Sequence, residues 1–183
     1  KALLKKHYPN VTTAESRGNL QTRLRKLEEK QFDALMLAYA GVYRMGYDNL
    51  IVHTFPEDEF VPAAGQGSVA VECAKNLNTE LKSAIKDALN HPETHVCLIA
   101  ERAFLRTMEG GCSIPSFALA TLTEGAVSIT GGIVSLDGKT LLQQTMTAPT
   151  KDAEALGVRL ANTTLKNGGE EILTSIKRER SEI

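Results

Sequence analysis

The sequence predicts an α/β layer followed by a small α+β domain, which has a three-stranded antiparallel sheet and helices on one sheet face. Strand-like and helix-like segments alternate over residues 11–46, as is typical of an α/β layer. Residues 56–67 are rich in Pro, Gly and acidic residues and indicate a crossing between two units. After residue 91, one helix, three strands and two helices follow in order, which is typical of an α+β domain.

The first segments alternate in type. Residues 11–15 predict a short strand, and residues 20–29 predict an amphipathic helix because their leucines recur every three or four positions. The apolar run at 32–39 favours a buried strand, and a short helix is expected at 43–46. A strand that leads directly into a helix leaves the first backbone N–H groups of that helix free to bind an anion.

The middle of the chain follows the Pro- and Gly-rich crossing. Val69, Val71 and Cys73 occupy alternate positions, which predicts a strand over residues 68–73. Apolar residues at helical spacing predict an amphipathic helix over residues 79–90. The His-Pro pair that follows marks a boundary, because the residue before a proline disfavours the helical conformation.

The last part of the chain predicts a complete small domain. Residues 93–108 indicate a largely buried helix, and an Asp-Gly pair at 137 and 138 indicates a tight hairpin turn. Two helices follow residue 152 and are separated by an Asn-Gly pair. We therefore expect residues 91–183 to fold independently. The three predicted strands cover residues 117–122, 127–134 and 140–147.

Length and composition exclude several classes of protein. The 183 residues suffice for one large domain or two ordinary ones, and 42% hydrophobic residues suffice for a core. No apolar run reaches the roughly 18 residues of a membrane helix, so we expect no membrane span. The start without Met or a signal peptide predicts a fragment or processed piece rather than a secreted protein. Three cysteines without a CxxC pair disfavour disulfides and zinc, which predicts a metal-free cytoplasmic protein.

The charge is unevenly distributed along the chain. Residues 1–30 hold eight Lys or Arg and three Glu, whereas the remaining residues hold 13 basic and 19 acidic side chains. A local basic field favours an anionic partner, although a solvated helix face explains the same pattern. Nucleic acid is the weaker choice, because the basic region has no interleaved aromatic residues and no recognised binding motif.

Cys112 lies in the segment EGGCSIP, just after the predicted end of a helix. A thiol in a glycine-rich loop is approachable, whereas Cys73 and Cys97 lie in apolar periodic segments and are expected in the core. A Cys–His nucleophile, as in a thiol hydrolase, would need a histidine, and His91 and His95 are the nearest in sequence. The residues alone leave open whether Cys112 is functional.

Four segments carry a family resemblance: SRGNLQTRLRKL (16–27), LAYAGVYRMG (37–46), VPAAGQGSVAVEC (61–73) and AERAFLRTMEGGCSIP (100–115). In this order and spacing they resemble the C-terminal portion of the porphobilinogen deaminase (hydroxymethylbilane synthase) family. The cysteine segment is the most diagnostic of the four. The resemblance implies a transferase of tetrapyrrole and heme biosynthesis. It would condense four porphobilinogen molecules head to tail, with loss of ammonia, into hydroxymethylbilane.

The resemblance also implies a cofactor and a domain division. A dipyrromethane cofactor would be held by a thioether to Cys112. Two lobes like those of a periplasmic binding protein would precede the small α+β domain. Gln66 would lie in the hinge motif, and Gly65 and Gly67 would give it backbone freedom. By residue number, the expected division is a part of the second α/β domain (1–61), a hinge (62–67), a return segment to the first domain (68–90) and a cofactor-attachment domain (91–183).

Arginines suit the carboxylates of pyrrole acetate and propionate groups, because a planar guanidinium can bind a planar carboxylate through two hydrogen bonds. By match to the family pattern, Arg17, Arg23 and Arg44 would bind these carboxylates. Gly18 and Asn19 would offer backbone N–H groups at a helix start. A surface ion pair of Arg23 is the alternative interpretation.

One departure from the family concerns catalysis. The catalytic aspartate of the family lies in an N-terminal portion without a match here, so no catalytic residue is assigned in this chain and the chain alone is predicted to be inactive. The expected partner is porphobilinogen, with neither nucleic acid nor membrane involved. The parent protein is expected to be a monomer, and the fragment to self-associate through exposed sheet edges. The alternative function is a non-catalytic, two-lobed small-anion-binding module.

Overall fold

The computed structural model of the protein describes residues 1–109 and 114–181, and its first 90 residues contain four α-helices. The amphipathic helices predicted at 20–29 and 79–90 are confirmed, and each ends one residue earlier than predicted. The short helix expected at 43–46 begins earlier and ends at Arg44. The four helices are α1 (Ala2–His7), α2 (Leu20–Glu28), α3 (Tyr39–Arg44) and α4 (Thr79–Leu89).

The strands predicted in this first part are absent. Residues 11–15, 32–39 and 68–73 form no strand in the described chain, so those three predictions are wrong. A strand exists only when a neighbouring strand accepts and donates its backbone hydrogen bonds, and none of these segments has such a neighbour among the described residues. Without a sheet their apolar side chains have no common layer to enter, and Val69 is 76% exposed.

The second part is an α+β domain with the predicted order of elements. Its sheet is antiparallel with strand order β1-β2-β3, so the prediction of a three-stranded antiparallel sheet is confirmed. Among the described residues, no helix is long and apolar enough to cross a membrane. The elements are α5 (Pro92–Thr107), β1 (Ser116–Thr123), β2 (Ala126–Val134), β3 (Leu141–Pro149), α6 (Ala153–Thr164) and α7 (Glu170–Ser181).

Tight turns fix the register of the sheet. Glu124 and Gly125 connect β1 to β2 with positive φ angles of 42° and 81°, which two-residue hairpin turns of this kind require. Gly138 has φ +77° in the turn before β3, as the Asp-Gly pair predicts. The break between α6 and α7 occurs at Gly168, whose φ is +105°.

The main core lies between the sheet and helices α5 and α6, with α7 packed beside them. Gly157 of α6 allows close approach of the two helices, because a β-carbon there would overlap the carbonyl oxygen of Ala100 in α5. Apolar side chains at helical spacing on α5 and α6 and at alternate positions on β2 fill this core. The largest fully buried ones are Phe104, Met108, Ile129, Ile133, Leu156, Leu160 and Ile176.

The opposite face of the sheet is partly covered as well, which corrects the prediction of helices on one face only. Phe117 and Val134 form a second apolar cluster with Ala2 of α1 and Val61. The Lys5 ammonium in α1 donates a hydrogen bond to the Leu136 carbonyl oxygen at 2.9 Å. The N-terminal helix and the segment near residue 61 are therefore part of the packing of the α+β domain.

Candidate functional site

The predicted cofactor anchor, Cys112, lies outside the described residues. The structure describes the chain up to Glu109 and again from Ile114. Met108 follows α5 and is completely buried. Glu109 adopts φ +49° and forms an ion pair with Lys177 of α7 at 2.5 Å, which lowers the pKa of the Glu109 carboxyl. On the other side, the Ser116 N–H donates to the Ile114 carbonyl oxygen at the start of β1. In the chain, residues 110–113 thus lie between the end of α5 and the edge strand β1.

The two other cysteines differ from one another. Cys97 is half-buried on α5 and packs against the main core, and burial, followed by the nearby Glu101 and Glu93 carboxylates, raises the pKa of its thiol. This setting agrees with the expected core position. Cys73 is exposed, so its predicted burial is wrong, for the same reason that its predicted strand is absent.

The histidine partners proposed for Cys112 lie at the other end of α5. His91 is the N-cap of that helix, and its Nδ1 accepts a hydrogen bond from the Thr94 N–H at 3.3 Å. His95 is exposed in the first turn. Residues 110–113 continue from the opposite end of the helix, so the structure gives His91 a capping role and offers no support for a Cys–His pair.

The predicted anion-binding turn is compact and held by its own hydrogen bonds. Gly18 adopts φ +120°, and a β-carbon there would lie 2.8 Å from the Thr22 side chain, so glycine is required. Asn19 is the N-cap of α2, and its Oδ1 accepts the Thr22 N–H at 2.9 Å. The Arg23 Nε donates to the Gly18 carbonyl oxygen at 2.9 Å, and the Lys26 ammonium donates to the Arg17 carbonyl oxygen at 3.1 Å.

This geometry decides which groups remain to bind an anion. Within the described part of the chain, the guanidinium groups of Arg17 and Arg44 make neither a hydrogen bond nor an ion pair, and both residues are exposed. Arg23 uses Nε to hold the turn, which leaves its two terminal nitrogens available to donate hydrogen bonds to an anion. The structure therefore brings Arg17, Gly18, Asn19 and Arg23 together. No hydrogen bond joins Arg44 to that turn among the described residues.

The segment that contains Gln66 is a pair of overlapping turns. The Gln66 N–H donates to the Ala63 carbonyl oxygen at 3.0 Å, and the Ser68 N–H donates to the Gly65 carbonyl oxygen at 3.2 Å. Gly65 and Gly67 both have positive φ angles, of 77° and 83°, as expected from their backbone freedom. The Gln66 side chain is exposed.

Glu101 of α5 holds this segment and was not predicted from the sequence. Its carboxylate is buried, and it accepts the Gly65 N–H at Oε2 (2.7 Å) and the Ala120 N–H at Oε1 (2.9 Å). Burial raises the pKa of the Glu101 carboxyl, and these two hydrogen bonds oppose the rise. Its signal in the sequence is a carboxylate within the apolar helical series Cys97, Phe104 and Met108, where an apolar residue would be expected.

The described residues contain no group of three or more His, Cys, Asp or Glu side chains that could hold a metal ion. The chemistry that the turn before α2 can perform is recognition of carboxylates by arginines. The arginine turn directly precedes helix α2.

Two family models match the chain. The model described as "Porphobilinogen deaminase, dipyromethane cofactor binding domain" matches residues 1–82, and "Porphobilinogen deaminase, C-terminal domain" matches residues 95–166. A curated protein of Desulfosudis oleivorans is 48% identical over 180 residues, which make up 98% of this chain and 58% of that protein. Another from Cytophaga hutchinsonii is 52% identical over 178 residues, 97% of this chain and 57% of that protein. Both relatives are named porphobilinogen deaminase, and the chain spans little more than half of their length.

Proposed function

The chain belongs to the porphobilinogen deaminase family, and from this premise we propose that the protein carrying it condenses four porphobilinogen molecules head to tail, with loss of ammonia, into hydroxymethylbilane. The observation that supports this most is the similarity to relatives of that name over nearly the whole chain, at 48% and 52% identity. The segment with Cys112 is the part of the sequence most diagnostic of the family. This family assignment disfavours the alternative of a non-catalytic anion-binding module.

The residues present fit a carboxylate-bearing cofactor. The outward-facing Arg17 and Arg44 side chains offer planar, permanently charged donors, and the loop after α5 offers the Cys112 thiol for a thioether. Dipyrromethane, when bound, supplies the pyrrole on which the product chain grows. The task of this chain in the proposed function is to bind and orient carboxylates, while the reacting acid or base is assigned to no residue here.

The turn before α2 would act as one binding unit. Arg23 fixes the Gly18 carbonyl oxygen through Nε, so its remaining nitrogens are held in a defined direction rather than left to rotate freely. The Asn19 cap keeps the first turn of α2 in place, and the helix start adds a favourable field for anions. Preordering of this kind reduces the entropy lost when a carboxylate binds.

The finer assignments extend this proposal. Residues 1–61 would belong to the second of two periplasmic-binding-protein-like lobes, 62–67 to the hinge and 68–90 to the first lobe. Residues 91–183 would carry the cofactor. We further propose that the whole protein is a cytoplasmic monomer and that the 183-residue chain alone is inactive. The expected self-association through exposed sheet edges loses its basis in the first part, because residues 11–15 and 32–39 form no strand.

The proposed cofactor anchor can be tested by intact mass. In the whole protein, Cys112→Ala should remove both a covalent dipyrromethane adduct and the formation of hydroxymethylbilane, because the thioether has no sulfur to form on. Cys73→Ala is the matched control, since it removes an exposed thiol from another segment. It should keep both adduct and activity. An adduct that persists in Cys112→Ala would contradict the assignment.

The arginines can be tested by substitution one at a time. Arg17→Ala, Arg23→Ala and Arg44→Ala in the whole protein should each weaken porphobilinogen use by about tenfold or more, because a charge-assisted hydrogen bond is lost. Lysine at these positions should recover only part of the effect, because it lacks the planar fork.

The matched control for the arginines is Arg159→Ala, which removes an exposed arginine from α6 outside the proposed site. It should leave the kinetics of porphobilinogen consumption unchanged. Normal binding and turnover in all three Ala variants would show that the turn before α2 and the end of α3 do not bind carboxylates.

A further inference from the structure

Helix α1 packs against the turn between β2 and β3 so closely that position 138 has no room for a side chain. A β-carbon at Gly138 would lie 2.8 Å from the Lys6 backbone nitrogen and 2.9 Å from the Ala2 carbonyl oxygen. It would also lie 2.8 Å from the Lys5 β-carbon. Because two of these atoms belong to the backbone of α1, no change of side-chain rotamer relieves the overlap. The turn accepts α1 because residue 138 is glycine.

Further contacts hold α1 in this place. The Lys5 ammonium donates a hydrogen bond to the Leu136 carbonyl oxygen in the same turn, and Ala2 is buried in the second apolar cluster. At the other end of α1, the centroids of the Tyr8 and Phe55 rings are 5.6 Å apart. A helix of six residues is too short to be stable by itself in water. The helical structure of α1 therefore depends on these contacts.

The start of α1 is also connected to the turn before α2. Lys1 precedes Ala2 and forms an ion pair with the Glu15 carboxylate at 2.5 Å. Lys1, and more weakly Arg17, lower the pKa of the Glu15 carboxyl, so both cations lie near it. The segment after α1 thus returns to the start of the helix. Arg17 follows two residues after a side chain that is held there.

A short path of contacts leads from Gly138 to Arg17, by way of Ala2, Lys1 and Glu15. We propose that Gly138 is a positioning residue for Arg17, because it admits α1 to the turn between β2 and β3 and so sets where the turn before α2 lies relative to the α+β domain. This inference rests on the proposed function, in which Arg17 binds a carboxylate. A small displacement of such a group costs much of its contribution.

The direct test is residue-resolved amide exchange on the 183-residue chain. Gly138→Ala should speed exchange at the Lys5 and Tyr8 amides by about tenfold or more, because the hydrogen bonds of α1 open when the helix leaves the turn. The Arg23 amide should keep its protection, since the start of α2 is held by its own hydrogen bonds. The Ile129 amide of β2 is the reference for the sheet and should also stay protected.

Gly125→Ala is the matched control. Gly125 also has a positive φ in a hairpin turn of the same sheet, and a β-carbon there would meet no described atom within 4 Å. The control therefore carries similar backbone strain and should leave the Tyr8 amide unchanged. An equal increase in both variants would overturn the proposal, because strain alone would then explain it. Unaltered exchange at Lys5 and Tyr8 in Gly138→Ala would overturn it as well.

A second variant decides the question if Gly138→Ala does not fold. Lys5→Met keeps most of the side-chain stem but removes the hydrogen bond to the Leu136 carbonyl oxygen. It should speed exchange at the Tyr8 amide by about threefold, as expected for one lost hydrogen bond. No change at Tyr8 in this variant would contradict the docking of α1 on the turn.

The second arm measures kinetics of the whole protein. Gly138→Ala should raise the KM for porphobilinogen about tenfold and change kcat less than about twofold. In a protein that already carries Arg17→Ala, the same substitution should raise KM less than about twofold, because no guanidinium is left to misplace. Effects that multiply would refute positioning through Arg17. If Arg17→Ala alone changes nothing, the proposed function fails at Arg17, whereas amide exchange still decides whether Gly138 docks α1.

Discussion

Both parts of the chain form helices, but they bury their apolar side chains to very different extents. Of the apolar residues that are buried in the described structure, three precede residue 91 and eighteen follow it. Val52, in the first part, is 97% exposed. Secondary structure depends on local signals such as caps and periodicity, whereas burial depends on a second layer to pack against.

Helices α4 and α6 make the difference concrete. Both are amphipathic by sequence, and both carry leucines at helical spacing. In α6, Leu156 and Leu160 are fully buried against α5 and the sheet. In α4, Leu81 is 49% exposed and Leu89 is 61% exposed. A helical pattern of leucines thus predicts a helix, but whether that helix contributes to a core is decided by the elements around it.

The largest expected effect compares the same substitution in the two parts. Leu160→Ala should lower the free energy of unfolding by about 2–5 kcal/mol, because it leaves a cavity in the main core. Leu89→Ala should change it by less than about 0.5 kcal/mol, because the side chain is already largely in water. Urea unfolding followed by circular dichroism measures both. A loss at Leu89→Ala as large as at Leu160→Ala would mean that α4 packs against a surface of its own.

A smaller effect is expected at two helical glycines. Gly157→Ala should cost about 1–3 kcal/mol, because its β-carbon would overlap the Ala100 carbonyl oxygen where α5 and α6 touch. Gly41→Ala in α3 should stabilise the chain by about 0.5–1 kcal/mol, since nothing lies within 4 Å and alanine favours the helix. The same unfolding measurement applies. Equal signs for the two substitutions would contradict the contrast in packing.

The smallest effect should be alike in both parts, because it does not depend on burial. Lys1 holds the pKa of Glu15 below its ordinary value of 4.5, and Lys177 does the same for Glu109. Each ion pair therefore stabilises the fold fully above pH 4.5, and this contribution is lost as the pH falls through the lowered pKa.

The measurement is the thermal midpoint of Glu15→Gln and of Glu109→Gln against the parent chain. Each variant should melt slightly lower than the parent near neutral pH and equal to it in strong acid. A difference that persists below the lowered pKa, where the parent carboxyl is protonated, would show that the glutamine acts through packing instead of charge.

The sequence predicts the second part of the fold well and the first part poorly, for the same reason. The strands at 117–122, 127–134 and 140–147 pair with one another through short turns, so their partners are close in the chain. The strands predicted at 11–15 and 32–39 have no partner nearby, and an apolar run alone cannot supply one. Hydrophobic periodicity indicates which side chains could be buried, but it does not identify the element that would pack against them.

The candidate site shows the same division between local and distant information. The helix start at Gly18 and Asn19 is predictable from the sequence, because both residues act on a residue no more than four positions away. The contact of Glu101 with Gly65 joins residues 36 positions apart, and no local rule connects them. The only trace of this contact in the sequence is an acidic residue in an apolar helical series.

The cover that α1 and Val61 provide for Phe117 and Val134 has a consequence for chimeras between relatives. A block exchange of residues 91–183 cuts the chain at a sensible boundary, but it separates this apolar strip from the side chains that fill it. In the chimera, the residues at positions 2 and 61 would come from one parent and the β-sheet from the other. Any mismatch in side-chain volume between them would leave a cavity or a steric clash in this cluster. Chimeras within this family should therefore take α1, the segment near residue 61 and the C-terminal sheet from the same parent, although α1 ends at His7 and the sheet begins only at Ser116.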